Sequence, residues 1–161
     1  MKNYLLKCEK WYSTTQSIFS EGRKIGNFFP GLYNSVDRLL FGEKEYIVRK
    51  KNVFSNNLSI YSKNELLAEV HNFTFKSESI ITTIKRDKYL LRSNIWCNRY
   101  RLLGNEGQVG ECHQHTTTTT FSFDDKVDDY LIAAIMTQIH STQQTAILVA
   151  CFVPIFVILI T

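Results

Sequence analysis

Asp128-Asp-Tyr-Leu-Ile-Ala-Ala-Ile-Met-Thr-Gln-Ile-His-Ser141 opens on two carboxylates and then carries no further formal charge. Asp124, Asp125, Asp128 and Asp129 are suited to cap a helix and to favour the positive end of its macrodipole. Leu131, Ile132, Ile135, Met136 and Ile139 then recur at helical spacing, while Ala133 and Ala134 keep the remaining surface small enough for close packing. The pattern predicts a helix from about Val127 to Ser141, centred on 128–141 and buried on most sides. Such a helix needs an enclosure, which the rest of the chain must supply.

Downstream, the polar stretch His140 to Thr145 leads into Ala146-Ile-Leu-Val-Ala-Cys-Phe-Val-Pro-Ile-Phe-Val-Ile-Leu-Ile160. From Tyr130 to Thr161 there is no Asp, Glu, Lys or Arg, in a chain that is 21% charged. This run is near the minimum length for a bilayer span, about 17 residues, and Pro154 is better tolerated in a membrane helix than in an exposed one. It reads as a second, apolar C-terminal helix serving as a membrane anchor. The alternative is a second buried segment of a soluble core.

Upstream, short β-favouring runs alternate with turn residues from Arg38 onward. They include Arg38 to Phe41, Glu45 to Arg49, Asn52 to Phe54, Leu58 to Tyr61, Leu66 to Val70, Phe73 to Phe75 and Ile80 to Ile84. Tyr89 to Arg92, Ile95 to Cys97, Tyr100 to Leu103, Gln108 to Cys112 and Thr116 to Phe123 continue the series. Many short strands at even spacing indicate a meandering antiparallel sheet, closed as a barrel or packed as a sandwich. Ile60 to Val70 and Leu102 to Cys112 share a strand, an Asn-Glu turn and a returning strand, the pattern of a repeated hairpin. Before Arg38, Tyr4 to Cys8 reads as a first strand, and Ser17 to Glu21 and Lys24 to Phe29 as strands or irregular structure between Gly and Pro turns.

The hairpin Tyr100-Arg-Leu-Leu-Gly-Asn-Glu-Gly-Gln-Val-Gly-Glu111, the strand series and the Asp-led apolar helix together resemble the tubby C-terminal domain-like superfamily. That group includes tubby proteins, phospholipid scramblases and the LURP-one-related proteins. The resemblance covers roughly Arg38 to Ser141 and rests on order and pattern. It implies a mainly β fold, an antiparallel barrel of about twelve strands around a central hydrophobic helix, which also makes sense of a helix apolar on every side. Residues 1–143 would form the barrel and its helix, and 144–161 the apolar segment by which the chain departs from the family pattern.

The net charge of +4 lies wholly before Tyr130, so a basic body precedes an uncharged tail. Such a body suits anionic lipid surfaces or nucleic acid, and the plainer reading is a mildly basic soluble surface. Lys85, Arg86, Lys88, Arg92, Arg99 and Arg101, interleaved with Tyr89, Trp96 and Tyr100, are the candidate residues for an anionic lipid. The resemblance implies such a property, since tubby proteins bind phosphoinositide headgroups through basic residues. The plainer reading is a hairpin with one solvated basic face and one buried aromatic face. His113 and His115 share a strand face and Cys112 takes the other, but no third ligand marks a zinc site. Thr116 to Thr120 reads as a two-faced strand.

No phosphate loop, nucleotide fingerprint, nucleophile elbow or metalloprotease motif occurs, so no catalysis, cofactor or metal is expected. Cys8, Cys97, Cys112 and Cys151 form no CxxC pair and read as reduced thiols. The apolar part of Met1 to Lys10 is too short for a signal peptide, which predicts a cytosolic body associated with a membrane through its C-terminus, or a cytoplasmic protein. The first expectation for function is a non-catalytic tether, lipid-surface sensor or scaffold. A soluble interaction module with the tail as core is the alternative, and scramblase-like lipid transport ranks third. Membrane lipid and a protein are the expected partners, and nucleic acid is not.

Overall fold

A computed structural model describes residues 1–8, 14–31, 36–50, 57–73 and 77–142. Twelve strands follow one another: β1 Lys2–Cys8, β2 Gln16–Ser20, β3 Arg23–Phe29, β4 Asp37–Phe41, β5 Lys44–Lys50, β6 Leu58–Ser62, β7 Glu65–Asn72, β8 Glu78–Thr83, β9 Lys88–Ser93, β10 Arg99–Gly104, β11 Gly107–Gln114 and β12 Thr118–Phe123. Each pairs antiparallel with its neighbours in sequence, and β1 pairs with β12, Lys2 opposite Phe123 and Lys7 opposite Thr118. The sheet therefore closes on itself as a barrel and leaves no edge strand. A helix, α1, follows at 129–142.

Turns begin at residues 21, 42, 63, 84 and 105, a constant spacing of 21; four of them are two-residue connections, and the one at Ile84 runs to Asp87. Strands alternate in direction, so all these turns lie at one end, together with Met1 and the start of α1. We call this the entry end. β1, β3, β5, β7, β9 and β11 run toward the opposite, exit end and stop there.

Every second hairpin carries a bulge. Ile25, Leu67 and Val109 each lie opposite no partner on the adjacent strand, and each is 42 residues from the next. Their carbonyls accept from Gly42, Ile84 and Asp124 respectively, at 2.9, 2.8 and 2.9 Å. The residues one step on, Gly26, Ala68 and Gly110, are all small. A Cβ at Gly26 would stand 2.0 Å from the Leu40 carbonyl oxygen, and one at Gly110 2.3 Å from the Phe123 ring. The same interval relates the buried triplets Ile18, Ile60, Leu102 and Phe28, Val70, Cys112. The barrel is thus three four-strand units of one plan, and each bulge sharpens the local twist and bend that closure requires.

Alternate residues of the strands face a single core, which they share with α1. In β4, Asp37, Leu39 and Phe41 point in while Arg38 points out. In α1 the nine residues 131–139 are all buried, so every face of the helix is covered, with Ile132, Ala133 and Ile135 wholly inaccessible. Each Leu, Ile or Met enclosed this way contributes roughly 1.5–3 kcal/mol.

The expected hairpins 60–70 and 102–112 are β6–β7 and β10–β11, and β2–β3 is a third of the same kind. The helix begins two residues later than expected and reaches residue 142. Ile95 to Cys97, read as a strand, is instead a turn, because the Asn94 Oδ1 accepts from the amides of Asn98 and Arg99 at 3.1 and 3.2 Å. Cys97 adopts a φ of 51° there, which no strand allows. The strand expected at Asn52 to Phe54, the end of the one at Phe73 to Phe75, and the apolar segment 144–161 lie outside the described residues. Among the described residues no helix is long and apolar enough to cross a membrane.

Candidate functional site

Three lysines converge on the start of α1. Lys2 and Lys44, the first residues of β1 and β5, reach Asp129 at 3.8 and 3.3 Å, and Lys85 reaches Asp128 at 3.4 Å. Lys2 and Lys44 are 42 residues apart and equivalent in two units, while Lys85 lies in the turn before β9, one residue short of the equivalent position in the third. The Lys2 Nζ also donates to the Val127 carbonyl at 2.9 Å, and the amino group of Met1 contacts Asp125 at 2.8 Å. The Asp128 carbonyl accepts from the amides of Leu131 and Ile132, so the helix starts on a residue whose carboxylate also favours its positive end. Tyr4 and Tyr46, 42 residues apart, lie beneath these carboxylates. Burial, with the charge of Asp129 adding, raises both phenols, that of Tyr46 to about 12.

The other end of α1 is held by polar groups at the exit end. The Asn72 Nδ2 donates to the Gln138 Oε1 at 3.0 Å, Ser79 bonds to Asn72, and the Gln138 Nε2 donates to the Thr142 Oγ1 at 3.3 Å. The His140 ring meets Phe28 edge-on at 5.1 Å. Burial lowers its pKa to about 4, with the charge of Lys50 adding, so it is neutral at neutral pH.

Around this exit end the surface is apolar and cationic. Ile95 and Trp96 are 84% and 77% exposed, and Phe29, Val36 and Phe73 are also exposed there. Lys7, Arg49, Lys50 and Arg99 stand at the same end. The described carboxylates here are two: Asp37 is buried and accepts from the Gly31 amide, and Glu78 accepts from the Arg92 Nε at 2.8 Å. The remaining described acids lie on the side wall or at the entry end.

The six basic residues singled out by sequence do not share one surface. Lys85, Arg86 and Lys88 lie at the entry end, the first against Asp128. Arg92 and Arg101 are opposite one another on the outer wall, in a cross-strand row running Glu78, Arg92, Arg101, Glu111. Arg99, the first residue of β10, stands at the exit end near Trp96, and Arg92 lies close to that end, opposite Glu78. Sequence reading missed the Ile95-Trp96 turn, although Asn94 and Asn98 on either side of it were a turn signal.

Two grooves open on the outer wall at equivalent places in two units. One, of about 640 Å³, runs over Leu5 and Phe19 between Lys7, His113 and Glu111. The other, of about 830 Å³, lies over Ile47 between Lys44, Glu45 and Lys63. His113 faces Glu111 at 3.7 Å, and among the described residues no three His, Cys, Asp or Glu gather as a metal would need. Thr119 points inward and Thr120 outward, so β12 is two-faced at its threonines. No protein-family model, curated protein or solved structure matches the chain.

Proposed function

We propose that the chain is a non-catalytic barrel plugged along its axis by α1 and tethered to a membrane by residues 146–160, where it acts as a tether, lipid-surface sensor or scaffold. The observation that carries this reading is the direction of the helix. Its first turn is held by Lys2, Lys44 and Lys85 at the entry end, and its last turns by Phe28 and Asn72 at the exit end. Burial on all sides supports the same path.

A helix so placed brings Thr142 to the exit end, where the surface is apolar and cationic, and the sequence that follows it is uncharged. The length and apolarity of Ala146 to Ile160 suit a bilayer span. A closed twelve-strand antiparallel barrel with a C-terminal helix agrees with what the resemblance to the tubby-like superfamily implies, and supports membership as part of this proposal. Lipid transport finds no supporting feature here and stays behind tethering.

The test compares the full chain with a version ending at Gln144, fractionated with a carbonate wash. The proposal expects the full chain in the membrane pellet and the shortened one folded in the supernatant. A full chain that stays in the supernatant, with a shortened one that unfolds, would make the tail part of the core and overturn the proposal.

A further inference from the structure

We infer that the exit end of the barrel is a docking face for an anionic lipid bilayer, with Ile95 and Trp96 as the pair that enters the interface. The inference deepens the tether proposed above and rests on it: the tail brings the chain to the bilayer, and this face fixes how the barrel then sits.

The first support is the construction of the 94–98 turn. Asn94 uses its side-chain oxygen for two backbone amides, its Nδ2 for the Asn98 Oδ1 at 2.7 Å, and its carbonyl for the Cys97 amide at 3.0 Å. A turn bonded this fully holds one shape, and that shape presents two large apolar side chains to solvent. Among the described residues neither side chain is covered. Tryptophan at a membrane interface places its ring among the headgroups with its N–H still hydrated.

The second support is charge. Arg99, Lys50, Arg49 and Lys7 surround the exit end, while its two described carboxylates are taken, Asp37 by burial and Glu78 by Arg92. Cations near an anionic leaflet add to apolar insertion, and they give the face a preference for phosphatidylserine or phosphoinositide surfaces over neutral ones. The third is continuity, because Thr142, the last described residue of α1, stands at this face, and the sequence after it is uncharged to Thr161. A bilayer parallel to the end of the barrel meets the tail and the turn together.

The test uses the full chain with Trp11→Phe, which leaves Trp96 as the single tryptophan. The chain is reconstituted with vesicles of phosphatidylcholine alone or of phosphatidylcholine with phosphatidylserine, each with and without brominated acyl chains. Flotation reports the tether; blue-shifted emission and bromine quenching report docking. The expected result is flotation with both lipids, quenching several-fold stronger with phosphatidylserine, and loss of that difference in Lys50→Glu/Arg99→Glu while flotation persists. Flotation without quenching overturns the docking face and leaves the tether standing. Equal quenching in both lipids overturns the anionic preference. Absence of flotation overturns the tether and the face together. Trp96 already shielded from acrylamide without vesicles would show a second copy covering the face, and would also overturn the inference.

Discussion

The Asn72 Nδ2 donates to the Gln138 Oε1 at 3.0 Å across 66 residues of sequence, bonding the exit end of β7 to the penultimate turn of α1. Gln138 is buried and Asn72 partly so, and deleting either removes this bond from the other. Gln138→Ala and Asn72→Ala should each lower stability by about 1–3 kcal/mol. In a double-mutant cycle by urea denaturation the pair should couple by about 0.5–2 kcal/mol. Additive losses would mean that the bond contributes nothing of its own.

Gly26 and Gly110 follow bulges in two of the three units, and the third unit has Ala68 at that place. Gly26→Ala drives a Cβ into the Leu40 carbonyl, which is backbone and cannot rotate away, so we expect a loss of at least about 2 kcal/mol. Gly110→Ala meets the Phe123 ring, a side chain that can shift, and should cost less. Thermal unfolding of the two variants checks the order.

Ile132 is wholly inaccessible on α1. Ile132→Ala should cost about 2–5 kcal/mol from lost burial and the cavity left behind. Ile132→Asp should prevent folding, because its charge would have no partner on any side of the helix. A tolerated aspartate, read by circular dichroism and size exclusion, would place this face of α1 in water.

His140 is held near 4 when folded, against about 6.5 when unfolded. A base whose folded pKa is depressed contributes stability above its unfolded value and loses it as pH falls from about 6.5 to about 4. The loss is of order 2–3 kcal/mol if the ring stays enclosed. His140→Gln should flatten the stability profile across that window and shift it by a constant amount above pH 7. Parallel wild-type and variant curves would mean that the ring titrates as in water.

Much of the architecture was legible in the sequence because alternation and helical spacing are local signals. Tyr100 to Cys112 announced a hairpin and Leu131 to Ile139 a helix buried all round. The first three strands were harder. β3 has an apolar pair broken by Gly26, whose smallness reflects contact with Leu40 on the next strand and not any local preference. The lysine seat of α1 was invisible for a related reason, since Lys2, Lys44 and Lys85 become neighbours only once the barrel closes. The six-residue basic run looked compact in sequence, yet a strand advances about 3.3 Å per residue, so Lys88 and Arg99 end on opposite ends of one hairpin. Ile95-Trp96 was misread because two bulky apolar residues favour a strand, and only the flanking asparagines argued otherwise.

The pairing of Lys2 with Phe123 bears on how this protein is made. The first strand waits for the last, so no part of the wall can be shut while the ribosome is still delivering it, and folding should be slow for the chain's size. The closing strand is followed within a few residues by α1, so the proposed plug emerges together with the strand that shuts the wall around it. A chain stalled before residue 123 would present two unpaired sheet edges and an empty interior, a species suited to chaperone capture or aggregation.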